Sequence, residues 1–80
     1  MKQYDFTYPK DKQLEAVKET LLDQMCEKLD TNVKDTVIKS TVDDCYQNFV
    51  VELENGKEID CEISFEVFTK EWQATVWEME

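Results

Sequence analysis

The chain of 80 residues contains no histidine and no arginine, so all nine of its basic residues are lysines. Without histidine it lacks the usual general base, the Ser-His-Asp triad and the imidazole ligand of many metal sites. Without arginine it lacks the planar fork that grips phosphate and reads base edges, and its lysines are scattered among nineteen acidic residues. We therefore expect no enzyme, no metal or other cofactor, and no direct binding to nucleic acid.

The chain also lacks a cysteine pattern that indicates disulfide bonds or a redox motif, and it lacks long apolar runs. Its cysteines, Cys26, Cys45 and Cys61, cannot all pair within one chain, and they match no C-x-x-C spacing. No stretch approaches the roughly eighteen consecutive apolar residues of a membrane span. The first residues lead into no apolar run of the kind that a signal peptide needs. These absences predict a protein of the reducing cytoplasm without a membrane segment.

The length and the charge direct attention to the outer surface. A chain of 80 residues is expected to form one domain, residues 1–80, with a small core. Chains of this size bury only about 60% of their unfolded surface, which leaves little room for a substrate cleft. The net charge of −10 must therefore be displayed on the outside of this domain.

An amphipathic helix is predicted from Asp11 to Leu29. Apolar residues recur there at intervals of three and four, as expected for one buried helix face. They are Leu14, Val17, Leu21, Leu22, Met25, Cys26 and Leu29. Asp11 is the predicted N-cap, and the run Asp30-Thr31-Asn32 ends the helix.

The remaining segments read as strands. Residues 3–8 alternate aromatic and polar side chains and form a candidate edge strand that ends at Pro9. Residues 36–42 are rich in β-branched side chains, and residues 46–54 and 57–68 alternate apolar with polar or acidic side chains. Together with the helix, these segments predict an α+β fold. It is an antiparallel meander of three to four strands with the N-terminal helix packed on one face.

The turn between residues 46–54 and residues 57–68 can be inferred from the requirement that apolar side chains of both segments lie on the same face of the sheet. A two-residue loop at Asn55-Gly56 would set Val51 opposite Asp60 and mix apolar with charged side chains on one face. A three-residue loop, with Gly56 in the left-handed conformation of a G1 bulge, sets Val51 opposite Ile59. We therefore expect the bulged hairpin.

Residues 72–79 are predicted to form a further strand, with a helix as the alternative because the segment is short. A four-residue turn over residues 68–71 would pair Val67 with Trp72, Phe65 with Ala74 and Ile63 with Val76. In that register Trp77 lies on the acidic face of the sheet, near Glu62 and Asp60.

The acidic face is the main candidate site. In the segment from Glu58 to Val67, acidic and apolar side chains alternate, so one strand face is apolar and the other is acidic. The residues predicted to bind a partner are Glu52, Glu54, Glu58, Asp60, Glu62, Glu66 and Trp77. A solvated outer face, which is common in antiparallel sheets, explains the acids without a partner but gains nothing from an exposed indole.

These features predict a small acidic interaction module. The hypothesis is an inhibitor or antidote that binds the basic nucleic-acid-binding surface of a partner enzyme and partly mimics nucleic acid. In size and charge alone, the chain resembles small acidic phage inhibitors such as anti-CRISPR and anti-restriction proteins, and no motif accompanies this likeness. The alternative is a structural or accessory domain that forms a homodimer through its open sheet face or a sheet edge.

Overall fold

A computed structural model describes residues 2–79 of the chain and contains five strands and a helix. The elements follow one another as β1 (Gln3–Pro9), α1 (Leu14–Leu29), β2 (Val33–Val42), β3 (Tyr46–Leu53), β4 (Glu58–Glu66) and β5 (Glu71–Met79). All strands join one sheet in the order β1-β5-β4-β3-β2, and every neighbouring pair is antiparallel. Within residues 2–79, no helix combines the length and the apolar content that a membrane crossing demands.

The predicted α+β class is confirmed, but the predicted number of three to four strands is too low. The N-terminal strand is a full member of the sheet, because β1 pairs with β5 along its whole length, from Gln3 opposite Trp77 to Pro9 opposite Glu71. As a result, the first and last strands of the chain lie side by side. The first and last strands are thus held by backbone pairing with each other, and β2 is left as the other edge.

The helix begins later than predicted. Pro9 and the residues after it form a turn in which the Lys12 N–H donates to the Pro9 carbonyl at 3.3 Å. Asp11 lies within this turn, so it cannot act as the N-cap; Gln13 occupies that position without a side-chain cap hydrogen bond. The predicted end is correct, since Asp30 adopts the left-handed conformation (φ 54°) and the Thr31 N–H donates to the Cys26 carbonyl at 3.0 Å.

The core lies between α1 and one face of the sheet. The buried face of the helix contributes Leu14, Val17, Leu21 and Met25. The sheet contributes the alternate residues Phe49, Val51, Leu53, Ile59, Cys61, Ile63, Trp72, Ala74 and Val76. The alternation predicted from sequence for β4 therefore sorts its side chains as expected, with the apolar set beneath the helix.

The bulged hairpin between β3 and β4 is confirmed. Val51 pairs with Ile59 and Phe49 with Cys61, while Gly56 has φ 89°. The Leu53 N–H donates to the Lys57 carbonyl at 2.8 Å, and the Gly56 N–H donates to the Leu53 carbonyl at 3.0 Å. This turn conformation requires a residue that tolerates positive φ, and glycine does so at no steric cost.

Residues 72–79 form a strand, so the alternative helix is wrong, and the predicted register of this strand is shifted by two residues. Phe65, not Val67, pairs with Trp72, because Val67 lies in a turn of residues 67–70. Within it, the Lys70 N–H donates to the Glu66 carbonyl at 2.8 Å. The rings of Phe65 and Trp72 meet edge to face at 5.2 Å, and the indole N–H donates to the Lys12 carbonyl at 2.8 Å. A shift of two residues preserves the face of every side chain, so Trp77 still lies on the acidic face.

Replacing Gly56 by alanine is expected to lower the free energy of unfolding by about 1 kcal/mol. A Cβ atom at this position would meet no atom within 4 Å, so the cost comes only from the positive φ of 89°. Gly56→Asn should cost less, because asparagine tolerates the left-handed region. Urea unfolding monitored by circular dichroism measures both changes. An alanine variant as stable as the wild type would contradict the bulged turn.

Candidate protein-binding face

The sheet face turned away from α1, here called the open face, carries the acidic side chains of β4. The residues of β4 on this face are the acids Glu58, Asp60, Glu62 and Glu66, together with Ser64. The register places beside them Glu52 on β3 and Trp77 on β5. Strand pairing thus brings six of the seven predicted partner-binding residues onto one face.

Glu54 is the exception among the predicted residues. It is exposed and follows the end of β3, and its backbone N–H donates to the Asn32 carbonyl at 2.9 Å. Its carboxylate acts on Cys26 of the helix, since the negative charge helps to raise the pKa of that thiol after the larger effect of burial. Glu54 therefore lies beyond the end of β3 and outside the strand pairs that form the open face.

Acidic residues stand directly opposite one another at one end of the open face. Glu52 pairs with Glu58 on β4, and on its other side it pairs with Asp35 on β2. Side chains opposite each other in an antiparallel pair have Cβ atoms about 4.5–5.5 Å apart, and like charges at this distance destabilise the sheet. Lys34 lies 3.8 Å from Glu52, but both side chains are about half exposed and the ion pair is correspondingly weak.

A second like-charged pair lies at the opposite end of β4. Glu66, the last residue of β4, stands opposite Glu71, the first residue of β5. Glu66 also accepts a hydrogen bond from the Phe68 N–H at 3.0 Å, which fixes its carboxylate within the turn. Asp35 and Glu71 were not among the residues singled out from sequence. Their places on the open face follow from strand pairing, which the sequence alone did not establish.

The acids in the middle of the open face have hydrogen-bond partners. Asp60 accepts from the Asn48 amide at 2.8 Å, and Lys39 lies 3.7 Å from its other oxygen. Glu62 accepts from the Tyr46 hydroxyl at 2.9 Å, and this hydrogen bond raises the pKa of the tyrosine. The two carboxylates are thus held in fixed orientations, whereas Glu58 is exposed at the end of the strand.

Trp77 is the large aromatic side chain of the open face. It pairs with Asp60 on one side and with Gln3 on the other, and it is only half-buried, in contrast to the 4% exposure of Trp72 on the core face. Across the sheet from Asp60 the same row continues through Val50 to Val37. The open face therefore combines a row in which Asp60 separates Trp77 from Val50 and Val37 with further acids on both sides of it.

The cysteine of β4 does not lie on this face. The thiol of Cys61 is on the core side of β4, where burial raises its pKa to about 12. The part of the chain between Lys2 and Met79 contains no cluster of carboxylate and cysteine side chains arranged to hold a metal ion. What the open face offers to another molecule is charge, an aromatic surface and fixed hydrogen-bond acceptors.

Comparison of the chain with protein-family models, with curated proteins and with solved structures finds no match. Any functional proposal therefore depends on the chemistry of this chain's own surfaces.

Glu58→Lys is expected to raise the free energy of unfolding by about 0.5 kcal/mol, because it converts a like-charged pair with Glu52 into an opposite-charged one. Glu58→Gln, which only removes the repulsion, should give a smaller gain. Asp44→Lys, in the exposed turn after β2, changes the net charge equally without altering a helix end and is the control for the effect of total charge. The gain from Glu58→Lys in excess of this control, measured by urea unfolding, should shrink at high salt. If Glu58→Lys is no more stabilising than Asp44→Lys, the direct repulsion is absent.

Proposed function

We propose that this protein is a small interaction module that binds a basic surface of a partner protein through its open face. The observation that carries the proposal is the placement of Glu52 opposite both Glu58 and Asp35, and of Glu66 opposite Glu71. Such pairs destabilise the isolated sheet. A partner that supplies lysine or arginine side chains between these acids would turn their repulsion into attraction.

The overall charge favours rapid association with such a partner. The chain carries a net charge of −10, and the open face carries acids along the whole length of β4. A surface of one sign steers an oppositely charged partner and raises the association rate, an effect that weakens with ionic strength. Acids at the rim therefore act chiefly on the rate of encounter.

Trp77 is proposed to contribute the binding energy of the interface, whereas the acids mainly accelerate association. Tryptophan is among the residues that most often dominate binding energy when a partner covers them completely. Trp77 is half-buried beside Asp60, whose carboxylate is already held by Asn48 and Lys39. A partner that covers this row would bury the exposed part of the indole without leaving the neighbouring carboxylate unpaired.

The partner we propose is an enzyme that processes nucleic acid, with the protein acting as its inhibitor or antidote. Such enzymes expose basic grooves that bind phosphates. From Glu58 to Glu66 the strand spans about 27 Å, over which duplex DNA carries about sixteen charges. The acids of β4 are too few for that density, so the open face would occupy part of a nucleic-acid groove and not imitate a whole duplex.

The simultaneous change of Glu58, Glu62 and Glu66 to glutamine is expected to weaken partner binding by tenfold or more at about 50 mM salt. Glutamine keeps the hydrogen-bond acceptor that Tyr46 uses at Glu62 and removes only the charge. The matched control replaces Glu15, Glu19 and Glu27, which are exposed on α1, with glutamine. Affinity capture from bacterial lysate with the wild type and both variants, followed by quantitative mass spectrometry, identifies the proteins whose retention depends on the open face.

The retained proteins should be basic, should be released by about 500 mM salt, and should be displaced by duplex DNA. If both triple variants retain the same proteins as the wild type, the open face is not the binding surface. If the retained proteins are not displaced by nucleic acid, the proposed class of partner is wrong.

Trp77→Ala is expected to weaken binding to a partner identified in this way by at least tenfold, mainly through faster dissociation. Phe68→Ala is the control, because Phe68 is 92% exposed but lies in the turn after β4, outside the open face. Surface plasmon resonance gives both rate constants. An unchanged dissociation rate for Trp77→Ala would exclude the indole as an anchor.

A further inference from the structure

The edge strand β2 is the least covered strand of the sheet. It has ten residues, and all except Thr36 are exposed. Apolar side chains are exposed on both of its faces, with Val37 60% exposed on the open face and Ile38 53% exposed on the helix side. The reason is width: five strands span about 19 Å, whereas a helix with its side chains is about 10–12 Å across. The helix cannot cover β2 as well as the other strands.

An exposed edge strand presents unpaired backbone N–H and C=O groups that a further strand can use. Proteins commonly blunt such edges with lysines and with β-bulges. The pairing of β2 with β3 is irregular between Val33 and Asp35 and again between Ile38 and Ser40. Between these irregularities, residues 35–38 pair regularly with β3, and the Thr36 N–H donates to the Asp35 carboxylate at 2.9 Å, a contact that a further strand would replace.

The sequence from Asp35 to Lys39, which extends into the second irregularity, is complementary to itself. If a second copy pairs antiparallel about Val37, Asp35 stands opposite Lys39 of the partner subunit, and this charge pair occurs twice by symmetry. Asp35 lies on the open face because it pairs with Glu52, and Lys39 lies there because its ammonium group is 3.7 Å from Asp60. The opposite charges are therefore on the same side of the joined sheet.

Other registers do not give this match. The two open faces of a symmetric edge pair lie on the same side, so the register can change only in steps that preserve side-chain parity. Centring the pair on Thr36 places Asp35 opposite Val37 of the partner subunit. Centring it on Ile38 places Lys39 opposite Val37 of the partner subunit. Each sets a charge against an apolar side chain and separates Asp35 from Lys39.

The charge of β2 also suits a second copy of the chain. The strand contains two lysines and one aspartate, a net charge of +1, in a chain whose net charge is −10. This edge therefore adds no net negative charge of its own where two such acidic chains approach each other. A basic partner would meet no excess of negative charge here.

We propose that β2 pairs antiparallel with β2 of a second copy, centred on Val37, to form a symmetric homodimer. The five strands of each copy then join into one continuous sheet, with both open faces on the same side. The dimer uses the backbone edge of β2, but its charge pair draws on Asp35 and Lys39, whose side chains also lie on the open face beside Glu52 and Asp60. Different substitutions separate the two proposals, on β4 and at Trp77 for the partner and at Val37 for the dimer.

Val37→Lys tests the pairing, because it sets two positive charges directly opposite each other at the centre of the dimer. The matched control is Val42→Lys, since Val42 is 55% exposed on the same strand and lies outside the paired segment. Sedimentation equilibrium under reducing conditions should show a monomer–dimer equilibrium for the wild type and for Val42→Lys. Val37→Lys should weaken dimerisation by about tenfold or more. Circular dichroism establishes that each variant is folded.

A charge exchange tests the register independently. Asp35→Lys alone sets a lysine opposite Lys39 of the partner subunit and should weaken the dimer, whereas adding Lys39→Asp should restore it. Higher salt should strengthen self-association, since it screens the repulsion between two acidic chains, but should weaken binding to a basic partner. A wild type that stays monomeric to about 0.5 mM overturns the proposal, as does equal dimerisation of Val37→Lys and Val42→Lys. Failure of the charge exchange to restore the dimer overturns the register.

Discussion

The pairing of β3 with β4 through the turn at Gly56 is the constraint on which the two faces of this protein depend. In an antiparallel sheet, a slip of one residue moves every side chain of a strand to the other face. Here such a slip would place Asp60 and Glu62 beneath α1 and expose Ile59 and Cys61. Burying unpaired carboxylates costs far more than a bulged turn, so the hairpin is held in one register by its own core.

Much of the fold could be predicted because β4 alternates apolar and acidic residues so regularly. Matching the apolar face of β4 with that of β3 predicted both the bulged turn and the residues that these strands contribute to the core. The register of β5 was harder, since Trp72 can be set opposite Phe65 or Val67 without changing faces. What decides between them is the contact of Trp72 with Phe65 and with the Lys12 carbonyl, and this contact depends on chain segments far apart in sequence.

In the candidate site, too, some residues could be predicted from neighbouring sequence, whereas others depend on the pairing of strands that are far apart in sequence. Most of its acids were found because they lie on two strands joined by a tight turn. Asp35 and Glu71 were missed because their neighbours, Glu52 and Glu66, are known only once the strands are paired. Glu54 was assigned to the face by simple alternation, which no longer holds where the strand ends and the chain turns toward Asn32. Alternation thus identifies a face within strands and loses its meaning at their ends.

The three cysteines sample three different depths of this fold. Cys45 is exposed in the turn after β2, Cys26 is half-buried on α1, and Cys61 is fully buried at the centre of the sheet. Because only an accessible thiolate is alkylated quickly, these side chains should react in that order. Full exposure of Cys26 requires the end of the helix to lift from the sheet, and exposure of Cys61 requires the core itself to open. The alkylation rates of these thiols in the native protein would thus distinguish local opening from complete unfolding.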